Sequence, residues 1–172
     1  LPLPTFAPMQ LTGFDIDPCA GAVVAGAGVI EYAPLDEVDV AAWNDAIIDA
    51  DWNQQAPAGV ATWYAMPYVP GSGSWTEDQQ DGEQGPHFRV SVSALLAADT
   101  PAVRGELDRM KGRPCLLRIT RSSVPILVGT PETPLRFNSR FDSGADGADT
   151  RGHRVAWSGN QLRKAPGYVP VF

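Results

Sequence analysis

Cys115-Leu-Leu-Arg-Ile-Thr-Arg-Ser-Ser-Val-Pro-Ile-Leu-Val-Gly129 is the stretch that decides the fold class. Two short runs rich in branched aliphatic residues flank Arg121-Ser-Ser123, which suits a tight turn. Residues 114–120 and 124–129 therefore read as the two arms of a β-hairpin.

Working outward, the same pattern repeats. Residues 134–141 and 153–159 flank an Asp/Gly-rich loop and form a second hairpin. Upstream, residues 87–97 place Phe88, Val90 and Val92 on a common face. Residues 59–69 alternate, with Val60, Thr62, Tyr64 and Met66 on one side and Ala61, Trp63 and Ala65 on the other. Residues 11–16 and 22–32 are further strands, the second bent at Gly26 and Gly28. The tail 167–172 is extended, and Pro170 restricts it to an edge or an end.

One helix is expected over 101–111. Thr100 suits the N-cap, Pro101 the first helical position and Gly112 the stop. Val103, Leu107 and Met110 form one apolar stripe to pack on a sheet, with Arg104 and Asp108 paired outside. A second helix over 38–50 would align Val40, Trp43 and Ile47. The expectation is one mainly-β domain over 1–172, a β-sandwich or barrel-like fold with one flanking α-helix. An extended Pro-rich arm occupies 1–8, and a long inter-strand loop occupies 70–86. That loop runs from Gly-Ser-Gly-Ser-Trp75 into an acidic stretch with Glu77, Asp78, Asp81 and Glu83. A loop this long in a compact domain is functional or disordered, and Trp75 reads as an anchor for a partner's pocket.

Charge is divided unevenly. Residues 1–88 hold 13 carboxylates and no Lys or Arg; residues 89–172 hold all 13 basic residues and seven carboxylates. Such asymmetry points to a charged partner. Either acidic and basic surfaces pair between copies, or the halves interleave and the charges cancel in space. A sequence pI of 4.7 opposes a dedicated nucleic-acid reader. An acidic surface suits something DNA must pass without sticking. No apolar run approaches the ~20 residues of a membrane span.

No catalytic constellation emerges. The two histidines, His87 and His153, each begin an expected strand, and no spacing suits zinc. Neither a Gly-x-Ser-x-Gly elbow nor a Walker-type loop occurs. Asp142, Asp146 and Asp149 could surround a cation, but they lack the EF-hand order and read instead as turn residues of a hairpin loop. Cys19 and Cys115 cannot be paired from sequence, and Cys115 reads as a buried thiol. The chain is therefore read as non-enzymatic, with no cofactor.

The order helix, Leu116-Leu-Arg-Ile-Thr120, turn, Ile126-Leu-Val-Gly-Thr-Pro-Glu-Thr-Pro-Leu135, Gly/Asp loop, Gly152-His-Arg-Val-Ala-Trp-Ser-Gly159 resembles small structural proteins of tailed-bacteriophage tails. Tail tube proteins and their contractile injection system relatives are the most similar. The segment from Pro18-Cys19 to Tyr32 is loosely similar to their opening; the arm 1–8 and residues 38–50 have no counterpart. The resemblance implies a virion protein whose copies form rings, commonly hexameric, stacked around a DNA channel and meeting other tail proteins. The expected assembly residues are Trp75, Glu77, Asp78, Asp81 and Glu83 against Arg89, Arg136, Arg140, Arg151 and Arg154. Rival readings are another virion part (neck, tail terminator or capsid decoration) and a carbohydrate-binding β-sandwich with Trp52, Trp63 and Trp75 as stacking platforms.

Overall fold

Branched and aromatic residues at every second position become strands throughout the computed structural model, which describes residues 28–44, 47–48, 52–83, 85–120, 124–144 and 151–171. The described strands are β1 (Val29–Pro34), β2 (Ile47–Ile48), β3 (Asn53–Pro57), β4 (Tyr64–Met66), β5 (Ser74–Gly82), β6 (Gly85–Leu96), β7 (Pro114–Thr120), β8 (Ile126–Val128), β9 (Leu135–Asp142), β10 (Gly152–Gln161) and β11 (Gly167–Val171). Two helices accompany them, α1 (Val40–Asn44) and α2 (Pro101–Met110). The fold is mainly β, as the alternation predicts.

All the strands join one hydrogen-bonded network in the order β2-β3-β11-β8-β7-β9-β10-β6-β5, with β1 bridging β7 and β4. β9 turns the corner. It pairs with β7 only at Leu135 and Arg136, then runs beside β10 to Asp142. The β9–β10–β6–β5 portion packs against the β4–β1–β7–β8 portion. Their inward residues, including Ile30, Tyr32, Val92, Leu117, Ile119, Val155 and Trp157, share one core. A smaller core of Ala33, Val38, Trp43, Ala56, Val60, Leu116, Leu127 and Tyr168 packs on the other face of β1 and β7. Alternation along Cys115–Ile119 feeds both: Leu117 and Ile119 enter the main core, Leu116 the smaller one.

α2 forms as its sequence dictates. Thr100 Oγ1 accepts from the Val103 N–H at 3.3 Å, and Val103, Leu107 and Met110 enter the main core. Glu106 shares the buried face, receiving the Tyr32 hydroxyl at 3.3 Å and Arg109 at 3.0 Å. The expected Arg104–Asp108 pair is replaced: Arg104 turns to Asp99, just before the N-cap, at 2.6 and 2.7 Å.

Three expectations are corrected. Residues 70–86 are not a loop but mostly strand. β5 pairs with β6 over its whole length, from Ser74 opposite Ser93 to Gly82 opposite Gly85. Its polar residues hide the strand signal, because the backbone ladder to the strongly patterned β6 holds it. The helix expected over 38–50 shrinks to α1. Asp39 caps it at the Ala42 N–H, 3.1 Å away, and the β-branched pair Ile47-Ile48 joins β3 instead. The strand expected over 59–69 is reduced to β4. Gly59 takes φ +78°, which makes a turn, and Pro67 removes the next backbone donor. The arm 1–8, the strand 11–16, Cys19, most of 22–32 and Asp146 and Asp149 lie outside the described residues. Among the described residues no helix is long and apolar enough to cross a membrane.

Candidate assembly interface

The four strands β9, β10, β6 and β5 present one face to the core and the other outward. Direct register partners share a face, so the outward rows follow from the ladders. Arg140 faces Arg154, Asn138 faces Ala156, and Arg136 faces Ser158. Across β6 and β5 the rows continue as Ser158, Ser91 and Thr76, then as Asn160, Arg89 and Asp78. Arg136, Arg140, Arg154 and Arg89 are all exposed on this face. None of these four arginines enters an ion pair among the described residues. The sheet is roughly 14 Å wide from β9 to β5. Its outward surface is thus hydroxyl-, amide- and arginine-rich, with Asp78 and Asp142 at its margins.

Among the described residues each end of this sheet has open backbone. β5 is the terminal strand. β9 beyond Arg136 has β10 on one side and no strand on the other among the described residues. The β5 end is acidic. Asp78, Asp81 and Glu83 are exposed toward the tip of the β5–β6 hairpin, and charge on an edge strand discourages indiscriminate pairing. Glu77 differs: its Oε1 accepts the Ala165 N–H at 2.8 Å, tying β5 to the segment before β11.

Trp75 is corrected. Alternation turns it inward opposite Val92, where it packs against the main core. It holds the hairpin to the body and is no solvated anchor. Of the proposed stacking platforms, Trp63 lies under the Arg118 guanidinium at 4.8 Å and edge-on to Tyr168, leaving Trp52 as the exposed one of the three.

Arg151 is the fifth expected arginine, and it belongs to a different cluster. Asp99 gathers Arg104, His153 Nε2 at 2.9 Å and Arg151 at 3.6 Å. Its hydrogen bonds to Arg104 and His153 hold its carboxyl well below the usual carboxylate range. Arg104 and Arg151 both sit 5.9 Å from the Phe141 ring centre, and Phe141 packs on His153. The cluster flanks a cleft of about 370 Å³ between α2 and the open part of β9. Sequence reasoning missed Asp99, whose partners lie 5 and 54 positions away.

Part of the charge asymmetry closes within one chain. Arg118 grips Glu31 with two bonds of 2.7 Å, and Arg113 meets Asp36 at 3.0 Å. Glu37 is taken by the Tyr64 hydroxyl at 2.6 Å. The acidic first half and basic second half therefore interleave at β1 and β7. The outward arginines and the carboxylates Asp78, Asp81 and Glu83 are among the charges this interleaving leaves over.

No protein-family model, curated protein or solved structure matches the chain.

Proposed function

We propose that this chain is a structural subunit that assembles with copies of itself, of the class that builds bacteriophage tail tubes. The observation that supports the reading is the four-stranded sheet, whose two ends are open among the described residues and unlike in charge. The edge of β5 in one copy would add to the open part of β9 in the next. The carboxylates Asp78, Asp81 and Glu83 would then approach Arg136, Arg140 and Arg154. Contacts between two different patches propagate into rings or stacks, and strand addition supplies backbone bonds with a defined register. In this reading the subunit works in the virion tail beside other tail proteins, and DNA passes without specific recognition.

Negatively stained electron micrographs, with sedimentation velocity at low and high salt, test it. Rings or tubes that dissociate as the Debye length falls from ~8 Å at 0.15 M toward ~3 Å at 1 M are expected. A monomer at high concentration in every salt would refute it. Single closed rings that never stack would move the reading to a neck or tail-terminator part.

A further inference from the structure

A second cavity, of about 270 Å³, lies between the 129–134 and 161–166 connections. Gln54 and Gln161 line it, with the exposed Glu132, Arg163 and Lys164. Gln54 is 8 % exposed and Gln161 is 4 % exposed. Among the described residues neither carboxamide has a side-chain hydrogen-bond partner, and Gln161 Oε1 is buried without one. Buried polar groups are almost always bonded, so the unpartnered Gln161 Oε1 beside this cavity calls for a cause. Arg163, Lys164 and Glu132 form no ion pair among the described residues.

We infer that this cavity binds a sugar acid, a single ring carrying hydroxyls and one carboxylate. Each carboxamide offers an acceptor and two donors, which matches hydroxyl groups, themselves donor and acceptor together. A ligand ammonium at that depth would be buried without a counter-charge, which is costly. The two exposed cations suit the carboxylate, and Glu132 can accept a further hydroxyl. The cavity lies just below the ~300–1,000 Å³ of drug-sized clefts, a size suited to one ring. The soft terminal torsion of Gln161 lets its amide turn toward the ligand. The same chemistry is met in a free sugar acid and in the end residue of an acidic glycan. This inference is independent of the assembly reading and stands or falls apart from it.

The test is titration of the isotope-labelled full chain with sodium glucuronate, glucose and sodium acetate, following the glutamine side-chain amide signals and the melting temperature. Saturable shifts of the Gln54 and Gln161 amides with glucuronate, at least about tenfold weaker with glucose, are expected. An end-linked acidic disaccharide binding as tightly as glucuronate extends the same result to glycans. Gln161→Leu removes the unpartnered Oε1, so it should keep or raise the melting temperature of the free protein while weakening glucuronate at least about tenfold. Should that variant not fold, Arg163→Ala with Lys164→Ala, both exposed, gives the same reading as about a fivefold loss. Absence of saturable shifts, equal shifts with acetate, or undiminished binding in the variants would overturn the inference.

Discussion

Arg140 stands directly opposite Arg154 across the β9–β10 ladder, and neither guanidinium meets a carboxylate at ion-pair distance among the described residues. Like charges in direct register destabilise a sheet by roughly 0.2–1 kcal/mol. In the assembly proposed above, an acidic neighbour would relieve that repulsion. Arg140→Glu is therefore expected to stabilise the isolated subunit by roughly 0.5 kcal/mol in denaturant titrations. The same change should abolish salt-sensitive association in sedimentation velocity. A subunit that is destabilised, or that associates as before, contradicts the arrangement.

Asp99 makes a second prediction, through pH. Its carboxyl is held low in the fold, first by Arg104 and then by His153. The folded state thus binds that proton less readily than the unfolded chain. The resulting stability is fully present above the unfolded value near 4 and is lost as pH falls through the lower folded value. Melting temperatures of the native protein and Asp99→Asn should be well separated at neutral pH and converge in acid. A gap that stays constant down to pH ~2 would show that the carboxylate charge is not what matters.

What the sequence made legible followed the strength of local patterning. The antiparallel pairing of β7 with β8 and the capped helix α2 were readable because apolar patterning and cap residues are strong there, while the turn expected at 121–123 lies outside the described residues. β5 was not, because Ser74–Gly82 has one large apolar residue and is a strand only through its ladder to β6. β3, Asn53–Pro57, is equally polar and is held by parallel pairing to β11, more than 100 positions later. The arginines of the proposed interface could be named from the charge asymmetry together with the family resemblance. That Arg136, Arg140, Arg154 and Arg89 share one outward face, while Arg151 leaves for Asp99, depends on register, which composition does not carry. Gln54 and Gln161 gave no signal at all, since glutamines 107 positions apart look like surface residues until the fold buries both.

Register also makes Gly152 indispensable. It opens β10 where the strand crosses close to the end of β6, and a Cβ there would run into the carbonyl oxygen of Leu96. The obstacle is backbone, so no side-chain rotation relieves it. Gly152→Ala is expected to cost ~2 kcal/mol or more in chemical unfolding. The half-buried Gly105, where a Cβ meets nothing within 4 Å, serves as the control. Gly105→Ala in α2 should gain up to ~1 kcal/mol from helix propensity. Equal effects at the two sites would show that the close approach is not what requires glycine.

Cys115 reports on the integrity of the core. It is fully buried on β7, with its thiol 3.7 Å from the Arg113 carbonyl, and burial pushes its pKa up to about 12. The reactive species is the thiolate, so at pH ~8 both access and ionisation oppose reaction. In a Cys19→Ser background, disulfide-exchange reagents should label Cys115 only at the rate at which the chain unfolds, and denaturant should raise that rate steeply. Met66 and Val92 lie in the same core, so Val92→Ala should accelerate labelling by the factor its unfolding equilibrium changes. Arg140→Glu, which acts at the surface, should slow it slightly. Rapid labelling of the unperturbed protein would mean that β7 opens locally without global unfolding, and would separate the hairpin at 114–129 from the cooperative core.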